Sequence, residues 1–567
     1  MTPNVLMVFP RFNPNSFWSL QAACDLWGAR CPSPPLGLIT LAALLPQSWN
    51  MRLVNRNAEE LTEDDIAWAD MVMTGGMLVQ RLDTLDLIDR CHARGKPVVV
   101  GGPDVTSSPE LYESADFLVL GEAEGIIDRF VEAWIQGERR GVFRAEKFKV
   151  DVTKSPIPRF DLLKRQHYLY IGVQFSRGCP FNCEFCDIIE LYGRVPRSKS
   201  IEQMLAELDA LYQTGYRGHV DFVDDNLIGN KKSLKQFLPA LRDWQRARGY
   251  PFKFSTEASI NLSDDAQLLQ MMSDANFFLV FVGIESPDTE TLVLTQKKQN
   301  TRRSLAESVH RIYAAGMFVT AGFIVGFDTE KGGVADAMVD CIEATSIPWC
   351  MVGMLTALPN TQLSRRLEKE GRMLHDVWRN EADQCTGGLN FVTLRPRREV
   401  LSDYKAILQN IYAPDAFFAR VRNVSRALKR PSRSVAPAPA AAVSPSITPP
   451  VSQPEPPPAP SPKMARRMLE LSSKWASWRV RLREFRLLFR VMWRMTVRRP
   501  DLRRHFWSVF IECARRNPAA LESVVTIMVV YLHLGTFAQY VVQELDRKLQ
   551  AEQGDALPSE ARTLQIA

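Results

Sequence analysis

Three cysteines stand within eight residues as Cys179-x3-Cys183-x2-Cys186, inside the stretch SRGCPFNCEFCDIIE from Ser176 to Glu190. A zinc site takes four ligands, usually as two CxxC-type pairs, and no fourth cysteine is near enough to complete a local set. Three thiolates at this spacing suit three irons of a [4Fe–4S] cube, with the fourth iron left open for another ligand. A zinc site or plain core cysteines is the competing reading. It leaves the position of the run, directly after a strand, as an accident. The other seven of the ten cysteines are scattered and read as small buried residues. A chain holding thiolates in a cluster belongs in a reducing compartment.

Such a run needs a scaffold. From about residue 165 apolar strand patterns alternate with helical ones: LYIGVQFS (169–176), GHVDFVDD (218–225), FKFSTEA (252–258), FFLVFVGIES (277–286), FVTAGFIVGF (318–327) and CMVGMLTAL (350–358). Six βα units over 165–385 predict a partial (β/α)6 barrel with its functional groups at the strand C-termini. Polar or acidic residues follow almost every strand: Arg177, Asp224, Glu257, Glu285, Asp328 and Asn360. Ahead of it, residues 1–145 carry short continuous apolar runs at 4–9, 51–55, 71–75, 97–102 and 117–121, several ending in Gly. Buried parallel strands look like this. They predict an α/β doubly wound, Rossmann-like sheet whose ligand sits at the strand carboxyl ends.

On these residues the chain resembles the radical S-adenosylmethionine (SAM) superfamily, whose CxxxCxxC motif carries an aromatic residue before the third cysteine, here Phe185. The resemblance implies a [4Fe–4S] cluster on Cys179, Cys183 and Cys186. It places the SAM amino group near Asp224 and Asp225 of FVDDN, and the ribose near Gly283 and Glu285 of GIESP. GFIVGF (322–327) is similar to the segment beside the adenine, and Glu257 belongs to the same cofactor site. An open α/β sheet before such a barrel resembles the cobalamin-binding branch of the superfamily. PPLGLITLAALL (34–45) looks like that branch's first helix. The implied cobalamin contacts are Gly75, Gly76, Met77 and Gln80 of TGGMLVQR, Gly101, Gly102 and Pro103 of GGPDV, and Gly121 and Glu122 of LGEAEG. The motif Asp-x-His-x-x-Gly, which supplies a histidine to cobalt in many cobalamin proteins, is absent. His92, inside a predicted helix, is the sole histidine before residue 167.

The implied activity is transfer of a methyl group from SAM, via methylcobalamin, to an unactivated carbon. No protein acid–base pair is needed for the C–H step, and the catalytic side chains stay unassigned. Over roughly residues 1–410 the pattern resembles a bacterial subgroup that includes hopanoid C-2 methylases, so C-2 of a hopanoid is the expected acceptor. A tetrapyrrole or other natural product, methylated or rearranged, is the alternative. A flavodoxin- or ferredoxin-type protein is the implied electron donor.

A helical extension is expected at 386–430. Residues 431–462 form a Pro/Ala/Ser linker that cannot bury a core. Residues 463–567 open with a basic helical pattern in which Trp475, Trp478, Phe485, Phe489 and Trp493 are interleaved, and VVTIMVVYLHLGTFAQYVV (524–542) has no formal charge. Dense apolar residues favour an anionic membrane surface over nucleic acid as its partner. The uncharged run reads as a buried hairpin or a monotopic anchor rather than a span. The sheet and barrel are expected to fold without anything beyond the linker. The N-terminal residues have no basic region and no small-residue cleavage site. The expected location is therefore the cytoplasm, at the inner face of the cytoplasmic membrane, with a lipid or other hydrophobic substrate.

Overall fold

The computed structural model describes residues 2–13, 15–375, 384–429 and 487–554. The N-terminal strands are β1 Asn4–Phe9, β2 Asn50–Asn55, β3 Met71–Gly75, β4 Val98–Gly101, β5 Phe117–Leu120 and β6 Gly141–Arg144. They form one parallel sheet in the order β2-β1-β3-β4-β5-β6. Helices cover both faces over two separate apolar cores, one around Met7, Met73 and Phe117 and one around Leu6, Val72 and Leu118. Consecutive residues of each strand therefore enter opposite cores, and both must be apolar. The edge strand β6 escapes the sequence pattern because Val142 and Arg144 are exposed.

The second sheet contains β7 Tyr170–Val173, then β10 Gly218–Phe222, β11 Phe252–Glu257, β12 Phe277–Glu285, β13 Phe318–Val325 and β14 Trp349–Met354. Between β7 and β10, β8 Ser176–Arg177 pairs antiparallel with β9 Arg197–Ser198. The first barrel strand thus stops short of the expected residue 176, and the freed segment leads into the cysteine loop. The six parallel strands run in sequence order around a partial barrel, β7-β10-β11-β12-β13-β14.

Six strands leave a lateral gap between β7 and β14, and both ends of the described chain close it. Cys31 bridges Tyr168 in parallel fashion, and the Tyr170 amide donates to the Pro32 carbonyl at 3.0 Å, covering the β7 edge. A 34-residue helix, Leu521–Gly554, lies against β14, the helix Arg397–Ile411 and the helix Gln21–Trp27. His533 Nε2 sits 2.8 Å from the Phe17 carbonyl, and Phe17 packs edge-on against Phe537.

This helix corrects two expectations. It is one continuous helix where a hairpin was expected, and although it is long and apolar enough to cross a membrane, 72% of its most apolar window is buried inside the protein, in keeping with the buried reading. A helix apolar on all sides reads alike whether protein or lipid surrounds it. Nor does the chain beyond the linker stand apart. Tyr531 packs on Phe417 and Phe418 and donates to the Tyr412 carbonyl at 2.9 Å, so this helix completes the core of the helices before residue 430. The linker at 431–462, and Trp475, Trp478 and Phe485, lie outside the described residues.

Candidate functional site

The cysteine loop leaves β8 at Gly178 and is braced from below by the end of β10. Asp224, fully buried, accepts from the Phe175 amide at 2.9 Å and the Ser176 hydroxyl at 2.6 Å. Asp225 accepts from the Gly178 amide at 2.8 Å. Burial pushes the Asp224 carboxyl up to about 7 and the Asp225 carboxyl up to about 6, against the pull of these hydrogen bonds. Asp224, expected at the SAM amino group, has both oxygens engaged by the loop it holds. Asp225 keeps one oxygen without a partner among the described residues.

Around the loop, Asn226 Nδ2 lies 3.7 Å from Cys179 Sγ, and Gln299 Nε2 lies 3.7 Å from Cys183 Sγ. Burial pushes the Cys179 thiol up and the Cys186 thiol well up, so three thiolates there require a positive partner. Among the described residues no three His, Cys, Asp or Glu side chains converge tightly enough for a single metal ion. A cube, which spreads its thiolate ligands over three irons, has no such requirement. With three thiols where structural zinc takes four protein ligands, the donor set fits a [4Fe–4S] cluster that keeps one iron open. Phe185 meets Phe327 edge-on at 5.9 Å, pinning the loop to the end of β13.

On the far side, Glu285 ends β12 with a positive φ of 67°, a costly conformation for a non-glycine residue. Its Oε1 accepts from Lys297 Nζ at 2.7 Å, with both side chains largely buried. The ion pair and the nearby Cys183 hold the Lys297 ammonium above its usual range, against its burial. A Cβ on Gly283 would meet the Glu285 carboxylate and the Lys297 ammonium, so a larger residue there would displace the ion pair. Glu257 is the last residue of β11, and its side chain is exposed. Its tip has open space beside it, yet protein encloses it, so desolvation and the carboxyls of Asp221, Asp225 and Asp224 push it up to about 8. Deeper inside, the Ser255 hydroxyl bonds to Asp221, and His219 Nε2 lies 2.5 Å from Ser255 Oγ. Burial holds this histidine neutral, down to about 3.

The two sheets share one cavity of about 500 Å³. Its walls include Gly75, Met77, Gly101, Pro103 and Gly121 at the carboxyl ends of β3, β4 and β5, together with Arg177 and Tyr192 beside the cysteine loop. Backbone approaches backbone here. A Cβ on Gly75 would stand 2.5 Å from the Gly101 carbonyl oxygen, and Gly102 sits at φ 97° with Gly76 backbone 3.3 Å from any Cβ. Such turns leave a shallow floor that any larger side chain would raise. Gln80 lies at the cavity wall, but its amide is spent on the Pro10 carbonyl at 2.6 Å and the Met77 amide at 3.1 Å. His92 is far from the cavity. It pairs with Asp116, which binds the Val98 amide at the opposite end of the sheet.

Glu122, expected at the cofactor, instead helps lock the two sheets together. Arg177 donates to Glu122 at 3.1 Å and to Glu124 at 2.6 Å, while Arg197 reaches Glu122 at 2.9 Å, all largely buried. The Arg177 guanidinium holds the Glu124 carboxyl down at about 2 although burial opposes it. This clamp ties the loop after β5 to the residue two positions before Cys179. Sequence reasoning finds Arg177 only as a polar strand end and misses Glu124, Arg197, Lys297, Asn226 and Gln299. The acidic pair in LGEAEG was a usable signal. Lys297, one of two adjacent lysines in a loop, offered none.

With this geometry in hand, the comparisons are specific. The sequence profile of the Radical SAM superfamily matches residues 173–340, and that of a domain of unknown function, DUF4070, matches 361–547. The second match crosses the linker, as the packing of the last helix does. An uncharacterized methyltransferase of Synechocystis is 42% identical over 96% of this chain and 94% of its own length. The hopanoid C-2 methylase of Rhodopseudomonas palustris is 37% identical over 73% of this chain and 78% of its own. Among solved structures, the cobalamin-dependent SAM radical enzyme OxsB superposes with a TM-score of 0.56 at 16% identity, covering 99% of this chain and 82% of that one. The radical SAM methyltransferase TsrM of Kitasatospora setae gives 0.54 at 16%, over 65% and 78%. The chain belongs to the methyltransferase family of the Synechocystis and Rhodopseudomonas relatives, and residues 173–340 form its radical SAM domain.

Proposed function

We propose that this protein methylates an unactivated carbon of a hopanoid lipid, with C-2 as the acceptor. The observation that carries the reaction is the shared cavity, which opens both to the glycine turns of the first sheet and to the segment holding the cysteine loop. Support for the substrate is the 37% identity to a hopanoid C-2 methylase across 78% of its length. Cys179, Cys183 and Cys186 would hold the [4Fe–4S] cluster. Asp225, Glu257 and the Glu285–Lys297 pair offer SAM the polar contacts that Asp224 has already used. The turns at Gly75–Met77, Gly101–Pro103 and Gly121 would seat cobalamin, and among the described residues no histidine lines that cavity. When bound, these groups supply one-electron cleavage of SAM and carriage of its methyl group. The chain itself positions the reactants, excludes water and fixes the distance between the two sheets through Arg177.

A membrane-surface location at the cytoplasmic face suits such a substrate. Phe489, Trp493 and Val497 recur every fourth residue and are about half exposed, and Arg490, Arg494 and Arg498 come directly after each of them. Alternating apolar and basic rows are what an interfacial helix presents to anionic lipid. The test is expression in a host that makes hopanoids but no 2-methyl forms. The expected result is 2-methylhopanoid whose mass shifts with methyl-labelled methionine. Labelled tetrapyrrole, with unmethylated hopanoid, would transfer the reading to the substrate class named in a 22% identical relative, a bacteriochlorophyllide d C-12(1)-methyltransferase of Chlorobaculum tepidum.

A further inference from the structure

A second hollow, of about 570 Å³, opens on the outer flank of the cysteine loop. Its floor is the loop itself, Pro180, Phe181 and Asn182, with Gln299 behind it. Gln299 is buried, its Nε2 is 3.7 Å from Cys183 Sγ, and its Oε1 has no hydrogen-bond partner. A single side chain thus separates a cluster-ligating sulfur from the hollow. Arg194, Lys298 and Arg302 stand exposed at the rim, and none of them forms a salt bridge among the described residues. The fourth base, Arg303, is taken up by Asp264. Three uncompensated cations around one opening make a positive field that steers an acidic partner. Val195, beside Arg194, is 76% exposed and adds apolar contact area.

We infer that this hollow is the docking surface of a small acidic one-electron carrier protein. The inference rests on the radical SAM reading, because a cluster in this loop needs an electron from outside. The carrier binds the Arg194–Lys298–Arg302 rim and gives up one electron. A [4Fe–4S] cluster held by Cys179, Cys183 and Cys186 would take up that electron and supply it for reductive cleavage of the SAM sulfonium C–S bond, with methionine as the leaving group. The hollow between the two sheets stays free throughout, since the two hollows share no lining residue.

The test uses full-length protein reconstituted with iron and sulfide, and scores release of 5′-deoxyadenosine with two reductants, dithionite and reduced flavodoxin. For Arg194→Glu/Lys298→Glu/Arg302→Glu, cleavage driven by dithionite should stay within about twofold of the parent, while cleavage driven by flavodoxin falls about tenfold or more, with a raised KM for flavodoxin and a weaker salt dependence. The milder R302Q and K298Q variants should shift the flavodoxin KM in the same direction, should the triple variant fold poorly. An unchanged flavodoxin rate in the triple variant overturns the docking site. So does an equal loss with both reductants, which would make these residues part of the cluster's own support. Absence of dithionite-driven cleavage in the parent protein is a different failure, that of the radical SAM reading.

Discussion

Both sheets of this protein have six parallel strands, yet their carboxyl ends offer a ligand opposite things. The first sheet, open and doubly wound, ends in glycine turns, and its functional surface is bare backbone over an apolar floor. The second, curved into a partial barrel, ends in side chains: three thiols, several buried carboxyls and one lysine. A broad, flat cofactor needs room and few charges. A cationic small molecule and a metal cluster need concentrated charge with little water. The strand order reflects the same division. A sheet with a switch in strand order between β2-β1 and β1-β3 makes a crevice, whereas strands in sequence order wrap round a common axis.

The sharpest break of this comparison is Cys183→Ala. It should abolish SAM cleavage and most bound iron while leaving cobalamin binding unchanged, read by absorption spectra and 5′-deoxyadenosine release. Retained cleavage with two thiolates would sink the cluster assignment. Removal of everything after residue 430 comes next. It exposes the aromatic face formed by Tyr412, Phe417 and Phe418 and reopens the β14 edge, so the truncated barrel should aggregate. A soluble, cluster-loading truncation would show that the last helix is dispensable.

Arg177→Gln tests the link between the regions. Leaving Glu122 and Glu124 buried and short of their partner should cost about 3–5 kcal/mol. Cleaved SAM should also exceed methylated product by more than in the parent. The pH dependence has a definite sign. Glu124 is held at about 2 in the folded protein, below its ordinary range. Its stabilising contribution is complete above the unfolded value near 4.5 and is lost as pH falls toward 2. Melting temperatures between pH 7 and pH 3 should therefore drop less steeply in the variant. A smaller effect is expected from Gly102→Val, where a strained φ and contact with the Gly76 backbone cost on the order of 1–3 kcal/mol. Cobalamin affinity should fall while cluster content holds. Least of all, Glu257→Gln should flatten the decline in melting temperature between pH 5 and 8 for cofactor-free protein. An acid raised to about 8 in the fold keeps a proton that the unfolded chain gives up, so it opposes folding as pH rises through that window. An equal slope in both proteins would place Glu257 in water.

The sequence made the two sheets legible because their strands are buried on both faces and so read as continuous apolar runs. β6 was lost because it is an edge strand with exposed Val142. The cysteine loop was legible from spacing alone. The roles of the carboxylates were less so. Asp224 and Glu122 were found as residues but are used for bracing and clamping, a distinction set by which backbone amide or guanidinium the fold brings near. Lys297 had no pattern to betray it, since its partner Glu285 is reached through a bulge in β12. The uncharged run at 524–542 was visible, but hydropathy does not say what will surround it.

The contact between His533 and Phe17 joins residues 516 positions apart, which gives the biogenesis of the protein a timetable. The ribosome delivers the cysteine loop and all six barrel strands well before the closing helix. From Met354 to Gly554 is 200 residues, about 10–40 s of translation at 5–20 residues per second. For that interval the nascent barrel is open at its side, with its thiols already in place and its seal not yet made.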